Sequence, residues 1–539
     1  MSQTASSKID TFAADNLPPA DLMPEFDFSH PAYRYPARLN CTTRFLDHWI
    51  ERGHGERTAF ISPHARWTYA ELTAKVCQLA HVLVDDLGLI PGNRVLLRAA
   101  NNPMMVAAYL AVIRAGGIAV GTMPLLRARE LSAIVDKAEI SHALCDVRLK
   151  DELLAAQKVS PALRQVKFFD GASADELEDL MAKKPSTFTP YDSRSDECCL
   201  IAFTSGTTGL PKGTMHFHRD MLAICDGFSA QVLKPEPDDI FAGSPPLAFT
   251  FGLGGLALFP MHAGAASLLL EAAPPLELLK AIEKYKVSVV FTAPTAYRAM
   301  LPEIPRTDIS SWKKGVSAGE HLPKATWEAV HQATGIKLID GLGSTELLHV
   351  FITSQGDDIR PGATGKVVPG YSGRIIDENG DEVPHGTIGR LAVKGPTGCR
   401  YLADQRQTVY VQNGWNVTGD AYSMDADGYF WFAARADDMI ISAGYNISGP
   451  EVENALLEHP AVGECAVVGK PDSERGMIVK AFVVVKPGNE SNPALVKSLQ
   501  DHVKQTIAPY KYPREIEFLD ALPKTQTGKL QRFKLREQA

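Results

Sequence analysis

A loop of small hydroxyl and glycine residues follows the apolar run Cys198–Phe203, and its residue types are those that bind phosphate. Glycines let the backbone turn its N–H groups toward an anion, and the hydroxyls add further donors. Lys212 supplies a cation on a long side chain. A buried strand that delivers such a loop provides what a polyphosphate requires. The predicted phosphate-binding residues are Thr204, Ser205, Gly206, Thr207, Thr208, Gly209 and Lys212.

The spacing within this loop differs from that of the P-loop of nucleoside triphosphatases. A P-loop follows the pattern G-x-x-x-x-G-K-[ST]. Here two residues separate Gly206 from Gly209, and Lys212 is followed by Gly213. The pattern therefore predicts a polyphosphate site of another kind.

Four further segments follow this loop, and together they resemble the adenylate-forming superfamily, which contains acyl- and aryl-CoA ligases, peptide-synthetase adenylation domains and insect luciferases. The segments are Gly341–Glu346 (GLGSTE), Thr418–Asp420 (TGD), Arg435–Asp438 (RADD) and Pro523–Lys529 (PKTQTGK). The resemblance covers most of the chain. It implies that a carboxylic acid reacts with ATP to give an acyl-adenylate, and that a thiol then displaces AMP.

Each matched segment carries a role that the resemblance implies. Glu346 and Thr204 would hold Mg²⁺, a hard ion that prefers oxygen ligands. Asp420 would accept two hydrogen bonds from the ribose diol, and Arg435 would contact the ribose or the phosphate. Further nucleotide contacts implied by the resemblance are Gly319, Glu320, Asp340, Gly341, Thr345 and Phe432.

The catalytic lysine implied by the resemblance is Lys529, in a polar loop near the end of the chain. It would bridge the substrate carboxylate and the α-phosphate, and so stabilise the charge that develops as pyrophosphate leaves. The C-terminal domain would then swing about a hinge at Asp437. Many members of the superfamily have Lys where this chain has Ile441, so a phosphate contact from the loop that follows is left open. That loop would line the tunnel for coenzyme A with Ser442, Ala443, Gly444 and Tyr445.

Two segments match the acid pocket of the superfamily. Phe251 is expected as a flat wall beside the carboxylate, and a flat apolar slot suits an aromatic ring. His349 falls three residues after Glu346, on the same face of a predicted short helix. At the rim of the pocket it would accept a hydrogen bond from an ortho amine or an ortho hydroxyl. The predicted pocket residues are Phe249, Thr250, Phe251, Gly252, Gly343 and His349.

The nature of the acid is implied by two further similarities. Leu342–Phe351 and Ser317–Pro323 look most like benzoate-type CoA ligases, while Asp10–Pro19 and Asn101–Met105 resemble 2-aminobenzoate-CoA ligases. The resemblance thus implies an aryl-CoA ligase, with 2-aminobenzoate first and benzoate second. The alternatives are other substituted benzoates or medium-chain fatty acids, loading of a carrier protein, and an inactive nucleotide-binding relative. The chain ends ten residues after Lys529, which favours coenzyme A over a carrier domain.

Composition and charge exclude several classes of protein. Of 539 residues, 45% are apolar and 22% charged, which is typical of a globular protein. The net charge of −8 argues against a nucleic-acid binder, which would carry a basic stripe. Ala242–Leu270 has no Asp, Glu, Lys or Arg, but its prolines and glycines favour a buried active-site core over a membrane span. With no signal-peptide pattern at the N-terminus, we expect a cytoplasmic protein. We also expect a monomer or a homodimer.

Helix and strand patterns alternate along the first part of the chain, which predicts parallel sheets covered by helices. Examples are the helices Ala70–Leu87 and Pro103–Ala115 and the strands Arg94–Leu97 and Val287–Phe291. After about residue 362, Gly-rich hairpin patterns predict a small antiparallel sheet or β-barrel. The expected fold class is α/β. A large N-terminal domain (1–435) would hold two helix-covered sheet subdomains and the small barrel, and a small mobile α+β domain (436–539) would follow.

Overall fold

The computed structural model describes residues 6–171, 176–204, 211–435, 438–442, 445–472, 475–507, 509–524 and 530–539. The strands, in chain order, are β1 (Thr58–Ile61), β2 (Arg66–Thr68), β3 (Arg94–Arg98), β4 (Ile118–Thr122), β5 (His142–Asp146), β6 (Gln165–Phe169), β7 (Cys198–Thr204), β8 (Lys212–Phe217), β9 (Ile240–Gly243), β10 (Ala266–Leu268), β11 (Val289–Thr292), β12 (Lys314–Ala318), β13 (Ile339–Gly343), β14 (Val350–Thr353), β15 (Lys366–Val367), β16 (Ser372–Ile376), β17 (Gly389–Lys394), β18 (Val411–Gln412), β19 (Trp415–Met424), β20 (Phe430–Arg435), β21 (Ile440–Ser442), β22 (Tyr445–Ile447), β23 (Val462–Asp472), β24 (Gly476–Val485) and β25 (Glu515–Phe518).

The helices, in chain order, are α1 (Phe12–Asp15), α2 (Thr42–Phe45), α3 (Asp47–Glu51), α4 (Tyr69–His81), α5 (Pro103–Arg114), α6 (Ala128–Lys137), α7 (Lys150–Val159), α8 (Leu177–Met181), α9 (His218–Ile224), α10 (Thr250–Leu253), α11 (Phe259–Ala263), α12 (Pro275–Tyr285), α13 (Pro294–Met300), α14 (Lys324–Thr334), α15 (Gln407–Tyr410), α16 (Gly449–Leu457), α17 (Pro493–Thr506) and α18 (Arg532–Gln538). π-Helical turns extend α4 at Val82–Asp86 and α9 at Cys225–Leu233, and another joins α10 to α11 at Gly254–Leu258.

A six-stranded sheet in the order β6-β5-β3-β4-β7-β8 carries the start of the predicted phosphate loop. Its strands are parallel except for β8, which runs antiparallel to β7. The central strands β3, β4 and β5 are buried along their whole length, and every residue of α5 beside them is buried as well. Parallel strands that are covered on both faces are apolar throughout, which explains why the sequence predicts them well.

A nine-stranded sheet in the order β15-β14-β13-β12-β11-β9-β10-β1-β2 forms the second layer of the large domain. The strands from β13 to β1 in this order are parallel, and the edge strands β14, β15 and β2 are antiparallel. The carboxyl ends of β9, β11, β12 and β13 therefore lie along one edge. Ligands of open α/β sheets bind at such an edge.

Two smaller sheets complete the fold. Strands β16 to β20 form an antiparallel sheet where the sequence predicts a small antiparallel sheet or barrel. The fourth sheet, β22-β21-β24-β23 with β25 beside β24, is built entirely from residues after 439 and carries α16 and α17. The architecture is thus the expected large α/β domain with a small α+β domain after it. The boundary at residues 435 and 436 stays a prediction.

The N-terminal arm, residues 6–40, lies across several of these layers. Asp10 forms an ion pair with Arg94 in β3, with 2.5 Å between the nitrogen and the oxygen. Further along the arm, Glu25 pairs with Lys394 at the end of β17. The arm therefore fastens the six-stranded sheet to the small antiparallel sheet.

The observed elements follow most of the predicted ones closely. The helix predicted at Pro103–Ala115 is α5, and the strand predicted at Val287–Phe291 is β11. The short helix predicted after Glu346 is wrong. The chain forms a turn there, with Leu348 in the left-handed region at φ 72°, before β14 returns antiparallel to β13. Among the described helices, none combines the length and the apolar character needed to cross a membrane.

Candidate active site

The phosphate loop leaves and re-enters the six-stranded sheet at neighbouring positions. Thr204 ends β7, Lys212 begins β8, and the two residues lie opposite each other in the antiparallel pair. The loop residues Ser205, Gly206, Thr207, Thr208 and Gly209 lie outside the described part of the chain. The structure thus places both ends of the predicted loop at one edge of the sheet.

Lys212, Glu346 and Tyr401 form a hydrogen-bonded triad beside these loop ends. The Nζ of Lys212 lies 3.3 Å from Oε1 of Glu346 and 3.1 Å from the hydroxyl of Tyr401. The hydroxyl of Tyr401 donates to the same Oε1 at 2.5 Å. Only 8% of Glu346 is exposed, so its carboxylate depends on these partners for the solvation that water would otherwise provide.

Tyr401 is a site residue that the sequence analysis missed. It is 2% exposed, and both burial and the nearby carboxylate of Glu346 raise the pKa of its hydroxyl. Its ring packs edge-on against Tyr410, with the centroids 5.8 Å apart. It lies on a connecting segment joined to β8 by a bridge to Thr214, and no local pattern marks such a segment as part of a site.

The residue before Tyr401 is held by a buried ion pair. Arg400 and Asp220 are both fully buried, with 2.6 Å between the guanidinium nitrogen and the carboxylate oxygen. On the other side, Gln407 accepts the backbone N–H of Tyr401 at 2.9 Å and donates to the carbonyl of Leu22 in the N-terminal arm at 2.9 Å. These contacts fix the backbone that carries the hydroxyl.

The predicted nucleotide contacts cluster at the carboxyl ends of β12 and β13. Gly319 follows β12 with φ 87°, a conformation that favours glycine. Asp340 lies opposite Ser317 within the β12–β13 pair, and burial raises the pKa of its carboxyl group well above the usual value. Gly341 is the next residue of β13, and Thr345 and Glu346 follow that strand in the turn. The structure thus brings Gly319, Glu320, Asp340, Gly341 and Thr345 to one strand edge.

The small antiparallel sheet contributes the other predicted nucleotide residues. Asp420 in β19 lies opposite Arg435 in β20. Phe432 in β20 stacks on His321, with the ring centroids 5.2 Å apart, and His321 directly follows Glu320. The predicted nucleotide contacts are therefore on neighbouring segments of two sheets.

His349 lies at the centre of a cluster of aromatic rings. The distances from its ring centroid are 4.5 Å to Phe259, 5.6 Å to Phe228, 5.7 Å to Phe251 and 6.5 Å to Phe291. His349 is 3% exposed, and burial lowers the pKa of its imidazole from 6.5 to about 3. The imidazole is therefore neutral at physiological pH.

The hydrogen bonds of His349 fix its tautomer. Nε2 lies 3.4 Å from the carbonyl oxygen of Phe251, and a carbonyl only accepts, so Nε2 carries the proton. Nδ1 is then an acceptor, and this buried atom has no hydrogen-bond partner among the described residues. A buried acceptor without a donor is a position where a ligand with an N–H or O–H group gains affinity.

The structure differs from two expectations about the acid pocket and adds three rings to it. His349 lies inside the aromatic cluster and not at a rim, because the turn at Leu348 directs it inward instead of along a helix. Phe249 lies outside the cluster and is 37% exposed, as it precedes α10, while the buried Thr250 begins that helix. The rings of Phe228, Phe259 and Phe291 were missed. Phe291 lies near the carboxyl end of a parallel strand, a position that the strand-end rule could have flagged.

Two of the predicted pocket glycines have a packing role. A Cβ on Gly343 would lie 2.9 Å from the backbone of His349, and one on Gly252 would lie 2.1 Å from the carbonyl oxygen of Pro246. Both sites therefore admit only glycine because the backbone itself fills the space.

The C-terminal part of the site is described in part. Ser442 is buried and pairs with Tyr445 at the end of the β21–β22 hairpin. The predicted tunnel residues Ala443 and Gly444, the hinge residue Asp437 and the lysine Lys529 lie outside the described residues.

The residues present fit a magnesium–nucleotide complex. Glu346 offers a hard carboxylate oxygen, and the two hydrogen bonds it accepts from Lys212 and Tyr401 both use Oε1 and not Oε2. Lys212 offers an ammonium group within reach of the loop ends for a phosphate oxygen. Glu346 would bind the metal, and Lys212 would bind the polyphosphate.

Comparison with known proteins shows the family to which the chain belongs. A sequence model of the AMP-binding enzyme family matches residues 46–401, and one of the AMP-binding enzyme C-terminal domain matches residues 451–529. A benzoate–CoA ligase from Thauera aromatica is 34% identical over 512 residues, covering 94% of this chain and 97% of that protein. The human mitochondrial acyl-coenzyme A synthetase ACSM3 is 34% identical, covering 91% of this chain and 85% of that protein.

A solved structure extends the match to the whole fold. The anthranilate CoA ligase AuaEII in complex with anthranoyl-AMP superposes with a TM-score of 0.90 at 34% identity, covering 95% of this chain and 99% of that one. Both the large and the small domain are thus shared. The chain belongs to the AMP-binding enzyme family and is an AMP-forming CoA ligase, which uses ATP, Mg²⁺ and coenzyme A.

Proposed function

We propose that this enzyme is an aryl-CoA ligase that activates 2-aminobenzoate, and next to it benzoate, as the acyl-adenylate and transfers the acyl group to coenzyme A. The aromatic cluster around His349 supports an aromatic acid, because flat rings pack favourably on one another at such distances. The benzoate–CoA ligase and the anthranilate CoA ligase among its relatives support the same class of acid.

The unpaired Nδ1 of His349 is the observation that supports recognition of an ortho-amino group on the acid. This nitrogen is an acceptor, it is buried, and a donor from the substrate would satisfy it. Benzoate has no such donor, whereas 2-aminobenzoate has an N–H group and 2-hydroxybenzoate an O–H group. A site with a buried acceptor discriminates strongly against a ligand that leaves it unpaired.

The first half-reaction is proposed to depend on charge stabilisation by fixed groups. Glu346, with Thr204, would hold Mg²⁺, which when bound neutralises phosphate charge. Lys212 would bind the polyphosphate, and Asp420 would accept hydrogen bonds from the ribose hydroxyls. Lys529 would contact both the acid carboxylate and the α-phosphate, so that the oxygen of the acid attacks the phosphorus as pyrophosphate leaves.

The second half-reaction is proposed to use the β21–β22 hairpin. Rotation of the C-terminal domain at Asp437 would exchange Lys529 for the hairpin segment Ser442–Tyr445 at the reacting carbonyl. The thiol of coenzyme A would then attack that carbonyl and expel AMP, which is a good leaving group. Pocket residues keep their place in both steps because they lie on the large domain.

A ligase for another acid is the second candidate, and the similarity to the human acyl-coenzyme A synthetase ACSM3 favours it. The two candidates differ in the acid that fills the cluster around His349, while the adenylation chemistry is common to both.

The decisive experiment is a panel of acids assayed with ATP, Mg²⁺ and coenzyme A. AMP release and the mass of the thioester are measured for 2-aminobenzoate, benzoate, 2-hydroxybenzoate and hexanoate. We expect kcat/KM for 2-aminobenzoate to exceed that for benzoate by about tenfold or more, since loss of one hydrogen bond to a buried group has an effect of this order. A preference for hexanoate would reject the aromatic proposal and leave the adenylation chemistry intact.

The variant His349→Phe isolates the proposed hydrogen bond. It keeps an aromatic ring at the position but removes Nδ1, so the preference for 2-aminobenzoate over benzoate should fall to about twofold or less. The matched control is His331→Phe, because His331 also packs on an aromatic ring, Trp327, but lies on α14 outside the cluster. An unchanged preference in His349→Phe would show that the ortho group is recognised elsewhere.

A further inference from the structure

We infer that Tyr401 is a positioning residue of the ligase reaction. Its hydroxyl holds Glu346 in the orientation that binds Mg²⁺. The same hydroxyl holds Lys212 close to that carboxylate until the metal and ATP bind. This inference rests on the proposed function in one respect, the assignment of Glu346 as the metal-binding carboxylate. The role of Tyr401 is a separate claim and is tested separately.

The chemistry of the three groups fixes the direction of each hydrogen bond. An ionised carboxylate only accepts, an ammonium group only donates, and a tyrosine hydroxyl does both. The hydroxyl of Tyr401 therefore donates to Oε1 of Glu346 at 2.5 Å and accepts from Nζ of Lys212 at 3.1 Å. In the reverse arrangement the proton of the hydroxyl would point at a cation, which is unfavourable.

The position of the hydroxyl is determined by packing on several sides. The ring contacts Tyr410 on one side, the backbone N–H is bound by Gln407, and a β-bridge ties the residue to Thr214. Arg400, the preceding residue, is fully buried in its ion pair with Asp220. A group held in this way loses little conformational entropy when it orients a partner, which is the requirement for preorganisation.

The triad has a consequence for the order of events at the carboxylate. Lys212 and Tyr401 share Oε1, so the carboxylate plane is fixed and its other oxygen is kept in one direction. The ammonium group of Lys212, only 3.3 Å from Oε1, competes electrostatically with a divalent cation for Glu346. Binding of metal and polyphosphate together resolves this competition, because the phosphates attract Lys212 away from the carboxylate.

The first test is Tyr401→Phe, read by metal binding as well as by turnover. Binding of Mn²⁺ in the presence of a non-hydrolysable ATP analogue is measured from the electron paramagnetic resonance signal of the unbound ion. We expect the dissociation constant for Mn²⁺ and the Mg²⁺ concentration for half-maximal rate to rise about tenfold, because a hydrogen bond to a charged group is lost. The KM for the acid should stay within about twofold of the wild-type value. Metal binding equal to that of the wild type would overturn the inference.

The matched control is Tyr410→Phe, which also removes a buried hydroxyl from the same ring pair. The hydroxyl of Tyr410 lies 3.3 Å from Oγ of Ser344, and the hydrogen bonds of the described residues include none between Tyr410 and Glu346. Metal binding by this variant should stay within about twofold of the wild type. Equal weakening in both variants would assign the effect to packing of the two rings and overturn the role of the Tyr401 hydroxyl.

A second variant keeps the inference testable even where Tyr401→Phe does not fold. Lys212→Met removes the competing ammonium group, so the nucleotide-free protein should bind Mn²⁺ about threefold more tightly than the wild type or better. With the ATP analogue present it should bind the nucleotide more weakly. Nucleotide-free metal binding that is unchanged or weaker would overturn the competition that the triad implies.

Glu346→Gln separates failure of this inference from failure of the proposed function. If this variant binds Mn²⁺ with the ATP analogue as well as the wild type does, the proposed metal role of Glu346 is wrong. If Glu346→Gln weakens metal binding and Tyr401→Phe does not, the proposed function stands and only the role of Tyr401 is rejected.

Discussion

Replacing Gly254 by Ala tests the placement of His349 in the acid pocket with a single methyl group. Gly254 begins the π-helical turn between α10 and α11 with φ −63° and ψ −59°, so alanine fits the backbone. A Cβ at this position would lie 2.4 Å from Cδ2 and 2.8 Å from Nε2 of His349. Since ordinary contacts are longer than 3.4 Å, the imidazole must move by about 1 Å.

The space around His349 limits that movement and sets the magnitude of the effect. Phe259 and Phe228 lie within 4.5 and 5.6 Å of the ring, so displacement strains a packed cluster. Overpacking of a buried site costs about 1–3 kcal/mol. If that cost falls on the pocket in which the acid binds, it corresponds to a rise in KM for the acid of about 5- to 150-fold.

The assay compares steady-state kinetics for the acid and for ATP in Gly254→Ala. We expect KM for 2-aminobenzoate to rise within that range, and KM for ATP to change by about twofold or less, because the nucleotide contacts lie on other segments. Gly55→Ala is the matched control, since its Cβ would meet Ile50 and Ala70 at 3.2 and 3.3 Å and no ring of the aromatic cluster within 4 Å. A KM for the acid that stays within twofold of the wild type would refute the placement of the acid against His349.

Two further predictions concern the catalytic lysine and the buried histidines. Lys529→Ala should slow adenylation by roughly 10²–10³-fold and leave thioester formation from preformed acyl-adenylate nearly intact; equal loss in both half-reactions would contradict the domain rotation. Burial lowers the pKa of His349 to about 3 and that of His216 to about 4, so the unfolded state takes up protons first as the pH falls below 6.5. Their contribution to the free energy of unfolding is complete above pH 6.5 and is lost as the pH falls toward about 3 for His349 and about 4 for His216, by about 2 kcal/mol per histidine at pH 5. The free energy of unfolding is measured in urea at pH 7.5 and pH 5. Between these two pH values His349→Gln should lose about 2 kcal/mol less of it than the wild type, and equal losses would contradict the lowered pKa.

The sequence allows many of the regular elements and the position of the phosphate loop to be predicted because both depend on local patterns, whereas the other nucleotide contacts are implied by the resemblance to the superfamily. Buried parallel strands such as β3 and β11 are short apolar runs between helical patterns, and the structure has them at these positions. The strand ahead of the phosphate loop is likewise visible as a short apolar run. Agreement is therefore best where neighbouring residues decide the structure.

The aromatic pocket and the Tyr401 contact could not be predicted in the same way because they depend on contacts between distant segments. Tyr401 reaches Glu346 across 55 positions of sequence, from a connecting segment without a periodic pattern. The turn that directs His349 inward depends on Leu348 at φ 72°, a conformation that the spacing of side chains does not reveal. The short helix after Glu346, predicted because His349 follows three residues later, was wrong for this reason.

The contacts of the N-terminal arm also determine when part of the fold can form during synthesis. One of its contacts joins Glu25 to Lys394 at the end of β17, and another joins Leu22 to Gln407 beside Tyr401, across 369 and 385 positions of sequence. A ribosome adding 5–20 residues per second needs roughly 20–80 s to supply those partners after the arm has emerged. Throughout that interval the arm has no binding site on the small antiparallel sheet, so these contacts form only after residues 394 and 407 have been synthesised. The active centre is therefore completed late in synthesis, although the first residues of the chain belong to its support.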